Sequence, residues 1–150
     1  MRILYDHQIF TLQYYGGISR YFCEIMDRFS RDSETEFRLA LRYSLNEILH
    51  QKPRLNRFWT HRNDLFTDSQ LLSDLQKTIH LNVLNHIFNN KQEAIRRLKE
   101  QDFEVFHPTY YDPYFLKYLG KCPYILTMYD MTHEQQPTNF DSRDSTTARK

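Results

Sequence analysis

Gly16 and Gly17 are two of only three glycines in 150 residues, and they stand side by side in Tyr14-Tyr15-Gly16-Gly17-Ile18-Ser19-Arg20. Before them, Arg2-Ile3-Leu4-Tyr5 reads as a short buried strand. After them, Ile18, Tyr21, Phe22, Ile25, Met26 and Phe29 repeat at the spacing of one apolar helix face. Glycines between a strand and a helix let the backbone approach a ligand closely. The unpaired N–H groups of the helix's first turn favour an anion such as a phosphate. The same pair would also make a plain turn, and no complete dinucleotide fingerprint surrounds it. His107 and Asp130 each follow a predicted strand. His107 could hydrogen-bond a ligand hydroxyl or its own loop; Asp130 could be a base, an acceptor for sugar hydroxyls or a helix cap. His107, Asp112, Asp130, His133 and Glu134 are also residue types that bind zinc, but no ligand spacing such as H-E-x-x-H is present, so no metal is expected. A serine hydrolase is excluded by the lack of a G-x-S-x-G elbow.

These residues need a scaffold, and the chain supplies one in alternating pieces. Ser30 to Thr35 is a polar turn. Phe37, Leu39, Leu41 and Tyr43 alternate with Glu36, Arg38, Ala40 and Arg42, a strand with one exposed face. Ser44 to Asp68 is polar, contains Pro53, and reads as a long excursion of the kind that often carries function. Leu71 to Phe88 has helical periodicity, Asn89-Asn90 looks like a break, and Gln92 to Gln101 resumes as a charged helix with Ile95 and Leu98 inward. Phe103 to His107 is a strand stopped by Pro108. Asp112-Pro113 then starts a small helix that carries Phe115, Leu116 and Leu119 and ends at Gly120, and Pro123 opens a last strand, Tyr124 to Tyr129. Strands alternating with helices predict one α/β domain over residues 1–150 with a parallel sheet. In such open sheets ligands bind outside the carboxyl ends of the strands. Three segments should meet there: Asp6 to Gly17, His107 to Asp112, and Tyr129 to Glu134.

Composition removes several classes of function. A formal net charge of +1 argues against a nucleic-acid binder, because the basic residues near Arg54 and Arg96 are interleaved with acids. Cys23 and Cys122 lie far apart without metal spacing and read as reduced thiols. Neither a signal peptide nor an apolar run of the ~20 residues needed for a membrane span is present, so a cytoplasmic protein is expected. Five of the 11 tyrosines gather near the candidate loops, at Tyr14-Tyr15, Tyr110-Tyr111 and Tyr114, where aromatic faces suit sugars or bases as well as a core with wet edges. Asp144 to Lys150 reads as a helix just begun, so a longer chain is expected.

Three ordered blocks resemble one family. They are Ile3-Leu4-Tyr5-Asp6-His7-Gln8 through Tyr15-Gly16-Gly17-Ile18-Ser19-Arg20-Tyr21-Phe22, then Val105-Phe106-His107-Pro108-Thr109-Tyr110-Tyr111, then Leu126-Thr127-Met128-Tyr129-Asp130-Met131-Thr132-His133-Glu134. Together they resemble the N-terminal half of retaining family-four glycosyltransferases of GT-B fold, in particular bacterial enzymes of O-antigen and surface-polysaccharide synthesis. The resemblance implies a Rossmann-like acceptor-side domain, with the donor nucleotide-sugar held mainly by a C-terminal domain beyond this chain. It implies donor-phosphate contacts at Gly16, Gly17 and Arg20, although Arg20 could instead pair with a surface carboxylate. It further implies catalytic roles for Tyr129 and Asp130, and a cleft lined by His107, Tyr110 and His133. Relatives often present a histidine where this chain has Tyr129, and a tyrosine can donate a hydrogen bond without an imidazole's basicity. The implied partners are a nucleotide-sugar and a saccharide or lipid-linked acceptor, with no cofactor, no metal and no nucleic acid. Association with the inner face of a membrane is an added expectation, and the domain alone should be inactive. The Ser44 to Asp68 excursion would face the acceptor.

Overall fold

The first strand, β1 (Arg2–Tyr5), buries Ile3, Leu4 and Tyr5 and forms the middle of the sheet. In the computed structural model, which describes residues 1–58 and 89–129, it pairs in parallel with β2 (Glu36–Leu39) on one side and β3 (Val105–His107) on the other. Tyr5 stands in register with Leu39 and His107, and Leu4 with Arg38 and Phe106. The order β2-β1-β3 sends successive connections to opposite sides of β1 and places a topological switch point between β1 and β3.

Between β1 and β2 run α1 (Gln8–Leu12) and α2 (Gly17–Phe29). The apolar stripe read from the sequence forms α2, with Phe22 and Met26 fully buried, Ile18, Ile25 and Phe29 half-buried, and Tyr21 largely exposed. Alternation of side chains along the strands sorts the core into two faces. Ile3, Tyr5, Phe37 and Leu39 pack against α2 on one; Leu4 and Phe106 pack with Ala94, Leu98, Tyr114 and Phe115 on the other. Ala94 and Leu98 belong to α4, helical over residues 89–100, and Tyr114 and Phe115 to a 3-10 turn at Pro113–Lys117. The protein is thus α/β, with a small parallel sheet flanked by helices, compatible with a Rossmann-like arrangement. Among the described residues no helix is long and apolar enough to cross a membrane.

Several elements depart from the sequence expectation. β2 ends at Leu39, and Ala40 is buried rather than exposed, because the chain turns inward and Ala40 N donates to Tyr5 O at 2.8 Å. Ser44 onward is no excursion as far as Phe58. It forms α3 (Glu47–His50), capped by the Asn46 side chain on Leu49 N, and a 3-10 turn at Pro53–Phe58, which bury Ile48, Leu49 and Leu55 in the core. Polar composition hid those anchors. Residues 59–68, and the helix read over Leu71 to Phe88, lie outside the described residues. The residues before Asn89-Asn90 lie outside the described ones, but the pair is itself helical and Asn90 is fully buried. Its amide accepts from Arg42 N (2.9 Å) and Tyr43 N (3.0 Å) and donates to Tyr43 O (2.7 Å) and Thr11 Oγ1 (3.0 Å). Those partners outweigh a helix-propensity penalty of a few tenths of a kcal/mol, roughly. The small helix after Asp112 is 3-10, with Asp112 Oδ1 capping Tyr114 N as expected, Leu116 exposed, and Gly120 at φ 66°. The last strand shrinks to one bridge, Tyr124 against Phe106, and Ile125, Leu126 and Met128 are exposed.

Replacing Asn90 with alanine strands the backbone groups of Arg42 and Tyr43. At about 1–3 kcal/mol for an unsatisfied buried polar group, Asn90→Ala should lose about 3 kcal/mol, read as a lower urea midpoint with unchanged slope. A loss under about 1 kcal/mol would show that water replaces the amide.

Candidate functional site

The crevice at the switch point is closed on the α4 side by one carboxylate. Asp6, fully buried at the end of β1, accepts at Oδ1 from Thr109 N (2.8 Å) and Thr109 Oγ1 (2.7 Å), and at Oδ2 from Gln8 Nε2 (2.7 Å) and Tyr114 OH (3.1 Å). Gln8 extends the clasp: its Oε1 accepts from Asp112 N at 2.8 Å and its Nε2 donates to Asp112 O at 3.1 Å. Thr109 Oγ1 also accepts from Ile9 N at 3.1 Å. Burial, and next the Asp6 charge, push the Tyr114 hydroxyl far above its ordinary pKa, which keeps it a donor. Asp6, Gln8 and Thr109 carry no site role in the sequence reading. An acid directly after a buried strand was the available signal. These side chains fix the two loops to each other rather than present free groups.

The α2 side of the crevice is open. Gly16 caps α2 in an extended conformation, and Gly17 begins the helix. A Cβ at Gly17 would meet nothing within 4 Å, whereas one at Gly16 would fall 2.4 Å from Gln13 Oε1. That side chain occupies the space because it accepts from Ser19 N at 3.3 Å, serving as the cap that Gly16 lacks. Among the described residues the Gly17 and Ile18 N–H groups have no hydrogen-bond partner, so the helix start retains donors pointing outward. Arg20, one turn on, pairs with no carboxylate among the described residues. Its guanidinium donates to Tyr15 OH at 2.7 Å and lies 5.8 Å from that ring's centroid. Tyr14 is held likewise, donating to Glu47 Oε1 at 2.6 Å.

Beside this opening the chain gathers an aromatic wall. His107 is buried, its ring 5.3 Å from Tyr5 and 5.2 Å from Phe22, and its Nε2 lies 2.9 Å from Thr127 Oγ1. Burial lowers its pKa, with Asp6 opposing, which favours the uncharged ring. Tyr129 packs on Tyr21 (5.9 Å), Phe22 (6.0 Å) and Tyr111 (6.0 Å), and its N–H donates to Tyr111 OH. Its hydroxyl is buried beside Thr127, and burial, above all, raises its pKa. Such a group can donate a hydrogen bond but is no base near neutral pH. Tyr110 is half-buried against the same core and stacks on Tyr111 at 4.8 Å. Structure therefore brings Gly16, Gly17, Tyr129, His107 and Tyr110 to one end of the sheet. Asp130 and His133 lie outside the described residues.

Among the described residues no group of three or more His, Cys, Asp or Glu could hold a metal ion. A pocket of about 310 Å³ lies at the other end of the sheet, lined by Arg2, Phe29, Glu36, Phe37, Arg57 and Phe58, away from these loops. No family model matches the sequence, and no characterised protein or solved structure matches it significantly.

Asp6→Asn sets an N–H against donors that now find an oxygen. With charge-assisted bonds contributing about 1.5–3 kcal/mol each, the variant should lose about 3 kcal/mol in urea unfolding. A stability within about 0.5 kcal/mol of the parent would remove Asp6 as the tie between the loops.

Proposed function

We propose that the chain is the N-terminal, acceptor-side domain of a retaining GT-B glycosyltransferase. With a C-terminal donor-binding domain it would move a sugar from a nucleotide-sugar to a saccharide or lipid-linked acceptor, in surface-polysaccharide synthesis at the cytoplasmic face of a membrane. One observation carries the reading: α2 starts at the switch-point crevice with free N–H groups at Gly17 and Ile18 and open space where a Gly17 side chain would be. Departure of the nucleoside diphosphate builds charge on its phosphates, and preoriented N–H dipoles stabilise that charge without reorganising. Gly16 and Gly17 give the backbone approach, and Arg20 contributes the guanidinium N–H groups left over from Tyr15. Tyr129 would donate to a sugar oxygen once its buried hydroxyl is uncovered, with Asp130 orienting the same sugar and His107, Tyr110 and His133 assigned to the cleft. Without the donor domain the chain should release no nucleoside diphosphate.

Tyr14 and Tyr15 favour a second reading, a non-catalytic saccharide- or partner-binding module. Both rings are more than half exposed, at 61% and 57%, yet each hydroxyl is held by a neighbour, so the faces stand ready to stack. Oligosaccharide binding by the 150-residue chain, with no turnover in any longer reading frame, would select it.

In the full-length protein, nucleoside diphosphate release should be measured across UDP-, GDP- and dTDP-sugars. Gly17→Asp places a carboxylate where phosphate would sit and should cut kcat/KM by at least about 100-fold. Folding should be unaffected, because an acid suits a helix start. Unimpaired turnover would sink the phosphate role of Gly17.

A further inference from the structure

His7 joins three elements and has no part in the roles above. Its side chain is only 6% exposed. Nδ1 lies 3.1 Å from Thr11 Oγ1 of α1, and that hydroxyl also accepts from Asn90 of α4 at 3.0 Å. The ring packs on Tyr114 of the 3-10 turn, centroids 5.9 Å apart. Nε2 is buried and has no hydrogen-bond partner. Among the described residues the charged and titratable groups around it are Asp6 from β1's end, Lys91 from α4, and Asp112 and Tyr114 from the turn. None offers Nε2 an acceptor. Asp6 is occupied by Thr109, Gln8 and Tyr114, and Asp112 is paired with Lys91 at 3.2 Å.

A neutral imidazole fits this site because one nitrogen meets Thr11 and the other can stay bare. An imidazolium donates from both nitrogens, and its Nε2–H would be stranded out of reach of water. We propose that His7 is a pH-sensitive latch: protonation separates α1 from the Tyr114 turn and loosens the Gly16-Gly17 loop that α1 leads into. Gln13, which caps α2, lies one residue beyond α1, so its hold on Ser19 loosens too. Burial pushes the His7 pKa below its ordinary value; Asp6 opposes, Lys91 reinforces, and Asp112 opposes. The closed form therefore binds the proton more weakly than the open one, and falling pH favours opening. For a ring that titrates near 6.5 when open and lower when closed, the opening constant rises between pH 7.5 and 5, by about 30-fold at most. The latch holds whatever ligand the crevice takes.

Amide hydrogen exchange of the 150-residue chain at pH 7.5 and 5, corrected for intrinsic exchange rates, reads the opening directly. Thr11 and Gln13, whose N–H groups donate to His7 O and Ile9 O, should lose protection by up to about 30-fold relative to Phe22 to Met26 in α2. In His7→Gln, which keeps a polar group for Thr11 but takes no proton, that pH dependence should vanish. A direct ring titration by NMR in the parent chain should give a His7 pKa below 6.5. The latch is overturned by a His7 pKa at or above that value, by parallel loss in both regions, or by an unchanged pH response in His7→Gln. Should His7→Gln fail to fold, the parent's titration and regional exchange decide the question alone.

Discussion

One buried carboxylate holds the two sides of this protein together. β1 and β3 are separated by about a hundred residues of chain, and ladder hydrogen bonds end at Tyr5 and His107. Beyond that point the strands' loops would diverge, as connections at a switch point do. Asp6 stops them by gathering donors from Thr109, Gln8 and Tyr114 into a solvent-free cluster. The desolvation of the carboxylate is offset only while every donor is in place. The clasp is therefore all-or-none, and it sets the spacing of the loops that frame the crevice.

This arrangement divides labour between the faces of the sheet. On the α4 side, Asp6, Gln8, Thr109 and Asn90 spend their bonds on backbone or on one another, and His7 Nε2 is the buried exception. On the α2 side, groups are left over among the described residues, namely the N–H groups of Gly17 and Ile18. Saturated polar groups give rigidity; an exposed helix start with unpaired N–H groups gives a place to bind. The aromatic wall of Tyr21, Phe22, His107, Tyr111 and Tyr129 lets the second be built on the first, since stiff rings transmit the sheet's position to the crevice.

The sequence showed the elements whose pattern is local. β1, α2, the β3 strand and the Asp112 cap each follow from periodicity or from a turn residue, and all stand where expected. Elements decided by distant partners did not show. Asn90 looked like a helix break because the loop at Arg42 and Tyr43 that satisfies it is far off in sequence. Residues 47–58 looked like a polar loop because only a few scattered anchors, Ile48, Leu49 and Leu55 with Phe58 at the edge, pack it onto the core. Within the candidate site the glycine pair was readable, being rare and placed between a strand and a helix. Asp6 and His7 were not, since an acid and a histidine after a strand look alike whether they face a ligand or fasten a loop.

Gln13 and Gly16 have a consequence for how the loop tolerates change. The glutamine lies in the volume that any side chain at 16 would occupy, and from there it caps Ser19. The two positions therefore behave as one interlocking joint, a peg and its socket. A bulkier residue at 16 becomes acceptable only if position 13 gives up its reach, and the helix start then gives up its cap. Loop redesign that treats the glycine as a free hinge would meet this constraint first.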